Sequence, residues 1–293
     1  MEPLPVTDTR GVKIWRSLRR DKGAVIGAIL VGIVILMAAC ANLAPYGPAE
    51  MDWDVSLDDD APTVLPPSSK HWLGTDRTTY DVFSRLLYGA RLSLLTGIAA
   101  VALALFVGVP LGAYSGYAGG RVDSVIMRGV DIMLAFPSIV LAIAIATILD
   151  QRSVTTVIVA VGVVNIPTIA RQVRASVLQV KGQEFVVAAQ AMGMGPVRIL
   201  ARHVLPNCLA PIIVLSTLGV GYAILSAAGL NFLGLGPEPT VAEWGVMLTD
   251  GYSYVLQDQQ WVVIPPGAAI AITVLGFNLL GDGLRKALDP RAR

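Results

Sequence analysis

Charge is scarce in this sequence. Of its 293 residues only 15% are Asp, Glu, Lys or Arg, against about 25% in ordinary soluble domains. A soluble chain this poor in charge could not cover its own surface, and a disordered one would be polar and charged. An excess of one sign is missing too. The 22 basic and 21 acidic residues leave a net charge of +1, which gives no basis for nucleic-acid binding. Cysteine occurs twice, too few for a disulfide framework. No G-x-x-x-x-G-K-[ST] surrounds any lysine, so a nucleotide-binding P-loop is absent. What the sequence has instead is apolar residues, 54% of the total. That balance points to an integral membrane protein.

The apolar residues come in runs long enough to cross a bilayer, which takes about 20 residues per helix. The runs lie at Gly23–Ala44, Arg91–Tyr114, Ser124–Leu149, Ser153–Ala170, Cys208–Leu235 and Trp261–Gly281, so an all-α protein with six transmembrane helices is expected. The stretch VALALFVGV (Val101–Val109) is apolar on every face, unlike the one-in-two alternation of a membrane β-barrel. A signal peptide is the alternative for the first run. Its apolar core, Ala24–Ala41, exceeds the usual signal core of roughly 7–15 residues, which favours a retained helix.

Lys and Arg in the loops set the orientation. Arg10, Lys13, Arg16, Arg19, Arg20 and Lys22 precede the first span. Arg171, Arg174, Lys181, Arg198 and Arg202 lie between the fourth and fifth, and Arg285, Lys286, Arg291 and Arg293 follow the sixth. The loop Gly236–Gln260 has no Lys or Arg but holds Glu238, Glu243, Asp250 and Asp258. Both termini and the Arg171–Asn207 loop are therefore expected in the cytoplasm. The chain divides into a basic cytoplasmic N-terminus (1–22), a first transmembrane helix (23–44) and an acidic extracytoplasmic segment (45–90). A core of five transmembrane helices (91–283) with a cytoplasmic loop (181–206) follows, then a cytoplasmic C-terminus (284–293). The 45–90 segment carries Glu50, Asp52, Asp54, Asp58, Asp59, Asp60, Asp76 and Asp81 against Lys70, Arg77 and Arg85. With Pro62, Pro66 and Pro67 it reads as a partly irregular cap, or else as a solvated linker. Asp81 and Arg85, four apart, read as a helical surface pair.

Within the spans, Gly108, Gly112 and Gly116 recur every fourth residue and so share one helix face. Such a stripe lets another helix approach closely, either in static packing or in a sliding contact. Gly120 continues the spacing but falls in a Gly119–Gly120 turn. Pro110, Pro137, Pro167 and the pair Pro265–Pro266 favour kinks. Arg128 and Asp131 could pair on one face of the third span, as an intramembrane site or as an interfacial anchor. Cys40 and Cys208 fall near opposite ends of their spans, too far apart for a disulfide.

The cytoplasmic loop is the most informative segment. Lys181–Pro206 reads KGQEFVVAAQAMGMGPVRILARHVLP and parses as two short helices, Gln183–Met192 and Pro196–His203. Gly193-Met194-Gly195 ends the first and Pro196 suits the start of the second. Its apolar residues (Phe185, Val186, Val187, Met192) need cover, from the membrane domain or from a partner. His203 has no second ligand at metal spacing and reads as a packing or contact residue; His71 reads as structural.

The loop resembles a known motif. Ala188-Ala189, three residues, Gly193, nine residues, His203, one residue and Leu205-Pro206 is the spacing of the EAA loop of ABC importer permeases. Val187 stands where that motif has its glutamate, and Glu184 lies one helical turn earlier. Three further stretches are similar to the dipeptide/oligopeptide/nickel permease subfamily. They are His71–Leu94, with Thr79-Tyr80-Asp81 in place of Gly-Arg-Asp, Gly229–Gly236 (GLNFLGLG) and Asn278–Arg291 (NLLGDGLRKALDPR). The last two resemble its C-type subunit. The resemblance runs from about Arg16 to Arg293 and implies a type I ABC importer permease fold in a bacterial inner membrane. It implies a coupling helix at Glu184–Gly193, with Glu184, Phe185, Ala188, Ala189, Gly193, Arg198, His203, Leu205 and Pro206 serving ATPase coupling. It implies no catalysis and no cofactor in this chain. ATP and Mg would be bound by two partner ATPase subunits. A second permease, an extracytoplasmic substrate-binding protein and membrane lipid would be the other partners. The cargo implied is di- or oligopeptides, with nickel chelates, glutathione or sugar-linked peptides as alternatives. A stand-alone secondary transporter would show intramembrane acids and paired repeats, and neither is seen.

Overall fold

The computed structural model describes residues 10–52, 64–252 and 259–288. Asp54, Asp58, Asp59, Asp60, Pro62, Asp258, Arg291 and Arg293 lie outside the described residues. The helices are α1 (Arg10–Arg20), α2 (Lys22–Ala39), α3 (Val82–Ala118), α4 (Gly120–Ala135), α5 (Ser138–Leu149) and α6 (Val154–Lys181). They continue with α7 (Glu184–Ala191), α8 (Pro196–Ile199), α9 (Leu209–Phe232), α10 (Trp244–Tyr252) and α11 (Ile264–Leu288). Among the described residues extended pairing is limited to the isolated bridges Met51–Tyr80 and Thr75–Asp81.

Five helical segments are long and apolar enough to span a membrane, and a bent pair makes a sixth. The pair occupies the expected third span, and the kink favoured at Pro137 is a near right-angle break. α4 and α5 meet at 94° across Phe136–Pro137. Proline removes a helix donor and pushes the residue before it out of the helical region. Phe136 is accordingly extended, at φ −86° and ψ 139°. The second span is also longer than its apolar run. α3 starts at Val82 rather than Arg91, because the Asp81 carboxylate caps it by accepting from the Ser84 amide at 2.7 Å. At 37 residues it is about 55 Å long, more than a bilayer core of about 30 Å requires. Pro265 and Pro266 sit in the first turn of α11, where a missing donor costs little, and not at a mid-helix kink.

α3 and α6 form the central pair. Gly112 lies so close to α6 that an added Cβ would stand 2.2 Å from the Ala170 carbonyl oxygen. α2 packs on α11 through Ala24, Gly27 and Val31. Arg91 closes the exit of α2 by donating to the carbonyls of Ala38 (2.5 Å) and Ala39 (3.2 Å). The apolar residues form two clusters. One, around Val82, Leu94, Val161, Ile224 and Trp244, fills the half of the bundle near the start of α3. The other joins Ala113, Ile169, Val173 and Val177 to the loop after α6.

Candidate coupling surface

The loop after α6 is held at the end of the bundle where basic residues gather. Lys181, the last residue of α6, donates to the Tyr117 carbonyl at 2.5 Å and lies over the Tyr117 ring. α7 then begins at Glu184 and stops at Ala191. Its end is a Schellman turn. Gly193 takes φ +76°, the Met194 amide donates to Ala189 O at 3.2 Å, and the Gly193 amide donates to Gln190 O at 2.9 Å. Pro196 opens α8. The chain runs on through a wider π turn (Leu200–Val204) and a tighter one (Leu205–Cys208) into α9. The Asn207 amide donates back to His203 O at 2.7 Å.

This path gives the loop two faces. Val186, Ala189, Ile199 and Val204 are fully buried against Val173 and Val177 of α6. Phe185, Val187, Met192 and Val197 are 42%, 54%, 70% and 79% exposed. Glu184, Ala188, Gly193, Arg198 and Pro206 are exposed with them, whereas His203 and Leu205 are half-buried. Ala188 and Ala189, adjacent in the motif, thus point to opposite sides. These side chains form an apolar patch rimmed by Glu184 and Arg198, a surface of the kind a partner protein can cover.

The stripe Gly108, Gly112 and Gly116 faces Ile169, Ala170, Val173, Arg174 and Val177 of α6. Gly162, which sequence spacing did not single out, makes the reciprocal approach to Ala100 and Leu103. The expected Arg128–Asp131 pair is not formed. Asp131 instead meets Arg171 of α6 at 2.7 Å, with both side chains more than half exposed. Arg174 clamps Asp123 with two 2.6 Å hydrogen bonds, and Ser115 donates to the same carboxylate. The two acids of α4, Asp123 and Asp131, are therefore paired across helices with α6. Cys40 and Cys208 are both free thiols.

The opposite end of the bundle holds a buried polar junction that sequence reasoning missed. Arg85 is fully buried, so Asp81–Arg85 is not a surface pair. Its guanidinium meets Asp76 at 3.1 Å and donates to the carbonyls of Pro239 (2.6 Å) and Val241 (3.3 Å). Asp81 meets His71 at 2.9 Å, and the other ring nitrogen of His71 lies 3.1 Å from Asp52. Glu243 is 2% exposed and accepts from Ser93 (2.7 Å), Asn231 (2.6 Å) and the amides of Gly245 (2.7 Å) and Val246 (3.1 Å). The indole of the buried Trp244 donates to Leu86 O at 3.0 Å. A carboxylate followed at once by Trp-Gly, in a loop lacking Lys and Arg, was the available signal.

Comparison with known proteins bears on both ends. Residues 108–293 match the family model described as "Binding-protein-dependent transport system inner membrane component". Residues 9–67 match the N-terminal TM domain of oligopeptide transport permease C. The dipeptide transport system permease protein DppC of Escherichia coli (strain K12) is 46% identical, over 99% of this chain and 96% of its own length. The protein of the same name from Alkalihalophilus pseudofirmus is 44% identical, over 99% and 94%. The glutathione transport system permease protein GsiD of Pectobacterium atrosepticum is 40% identical, over 99% and 96%. Among solved structures, an inward-facing form of the MetNI methionine ABC transporter aligns with TM-score 0.59 at 20% identity, covering 70% of this chain and 96% of that one.

Proposed function

The chain belongs to the family of binding-protein-dependent transport system inner membrane components, and from that premise we propose how this permease subunit of an ABC importer works. Six spans from this chain pair with a second, homologous permease around one pathway, which carries di- or oligopeptides. The likeness to dipeptide permeases over nearly the full length supports that cargo. The GsiD relative supports glutathione as the second reading. Two ATPase subunits bind at the basic end, which lies in the cytoplasm by its Lys and Arg content. A substrate-binding protein docks at the acidic end, over the 45–90 segment and the Gly236–Gln260 loop.

The observation that carries the coupling role is the two-faced α7. Val186 and Ala189 anchor it to the bundle, while Phe185 and Val187 stay uncovered. Closure of the ATPases on ATP would move this helix and, through the second apolar cluster, α6 and α3. ATP shifts the bundle only as far as it binds one arrangement better than the other. Glu184, Ala188, Gly193 and Arg198 would meet the ATPase, and His203, Leu205 and Pro206 would set the loop's return. A photoreactive residue at position 187 tests the contact. In the assembled complex it is expected to cross-link to an ATPase subunit, whereas one at position 148, at the far end of α5, is not. Equal cross-linking from both positions would reject the coupling surface.

A further inference from the structure

Three cavities follow one another along α6 and α9. The first, about 110 Å³, is lined by Val161 and Asn165 of α6 and Ser226 and Leu230 of α9. The second, about 490 Å³, is lined by Asn165 and Thr168 of α6 and Leu218 and Tyr222 of α9. The third, about 1070 Å³, is lined by Gln172, Gln179 and Gln183 on one side and Asn207 and Leu218 on the other. The first two share Ser138, Val164, Asn165 and Tyr222, and the last two share Leu215 and Leu218. Residue numbers rise along α6 and fall along α9 together, so the cavities make one track from the acidic end to the basic end.

The narrow point has a definite construction. The break at Phe136–Pro137 turns the start of α5 toward α9, and the Ser138 and Tyr222 hydroxyls meet there at 3.3 Å. Both residues and Asn165 line the wall between the first and second cavities. The track is mostly apolar, with uncharged polar groups spaced along it. Asn, Gln, Ser, Thr and Tyr side chains interrupt walls of Val, Leu, Ile and Ala, and among the described residues Arg285 at the wide end is its one charged lining residue. Amides and hydroxyls at membrane depth are favoured where they line a water-filled space. They both donate and accept, which suits a solute whose own N–H and C=O groups must be satisfied once it leaves water.

We infer that this track is the chain's half of the translocation path, that it carries the peptide backbone, and that Ser138, Asn165 and Tyr222 form its constriction. The inference rests on the import reading and deepens it. Lining of this kind reads backbone groups and leaves side-chain selection to another component. The volumes widen toward the basic end, so the constriction separates the acidic side from an already open vestibule.

The test uses the assembled complex in liposomes. Cys40→Ala and Cys208→Ala remove the native thiols, and Asn165→Cys, Tyr222→Cys or Gln179→Cys is then added singly. Phe106→Cys and Ile148→Cys, at positions 80% and 81% exposed on outward surfaces, serve as references. A membrane-impermeant methanethiosulfonate is expected to label the track cysteines at least about tenfold faster than the references. Trapping with ATP and vanadate is expected to change the rates at 165 and 222 by a similar factor, within the range of conformational coupling. Rates at 165 and 222 equal to the references, or unmoved by trapping, would overturn the inference, whether lipid or the second permease covers the cleft. Co-purification of each variant with its partner subunits as one assembled complex verifies that it is folded. Uptake by the unmodified complex tests the import reading separately, so either idea can fail alone.

Discussion

A methyl group on Gly112 would stand 2.2 Å from a backbone oxygen of α6, while one on Gly129 would meet nothing within 4 Å. Overpacking at such a contact costs about 1–3 kcal/mol. Gly112→Ala is therefore expected to lower the unfolding temperature of the detergent-solubilised protein, and Gly129→Ala to leave it unchanged or raise it slightly. Equal effects would mean that α3 and α6 do not touch there. Glu243 presents a different case, because removing it strands several donors at once. Glu243→Ala is expected to destabilise by about 1–3 kcal/mol for the lost acceptor, and Glu243→Gln by less, since its carbonyl still accepts. Thermal unfolding of the two variants side by side gives the comparison. At the other end, the Lys286 ammonium and the Ala24 amide, both hydrogen-bonded to Asp21, hold its carboxyl below the ordinary carboxylate value. A depressed value contributes stability above the ordinary range and loses it as pH falls through the lowered value. Asp21→Asn is expected to flatten that acid-side loss, read as unfolding temperature against pH from neutral down to about 3.

Elements differ in how far the sequence disclosed them. α7 and α8 were legible because Gly193 and Pro196 are local signals that no distant contact overrides. The break between α4 and α5 was not, since the apolar run continues on both sides of Pro137 and hydropathy cannot distinguish a kink from a 94° turn. The first turns of α3 were legible in part: Asp81 and Arg85, four apart, read as helical, but the span itself was placed only from Arg91. Val82–Ala90 is continuous with it because Asp81 caps the helix and Arg85 finds Asp76 and two carbonyls of a loop far along the chain. The pairing of Arg128 with Asp131 failed on the same ground, as α6 supplies Arg171 as the nearer partner. Loop acids such as Glu243 showed their charge in the sequence but not their burial, which depends on Ser93, more than a hundred residues away in the chain.

At the scale of the molecule, the scarcity of charge becomes an arrangement. Basic residues collect at the end that carries α7, acids collect in the loops of the other, and the pairs Asp123–Arg174 and Asp131–Arg171 tie α4 to α6. The inferred track beside α6 and α9 runs between the two ends, and α7 presents an uncovered face where force could enter. In the proposed mechanism, this permease subunit supplies half of a path and is driven by partner subunits acting on α7. ATP-driven accumulation of a labelled dipeptide by the reconstituted complex is the most direct measurement of that claim. It should be compared with a complex carrying Phe185→Glu and Val187→Glu, which alters only exposed positions of α7. The expected result is uptake that requires ATP and the binding protein, and a double variant that assembles but neither accumulates the peptide nor accelerates ATP hydrolysis when substrate is present. Undiminished uptake by the double variant, or accumulation by this chain in the absence of any ATPase, would contradict the account.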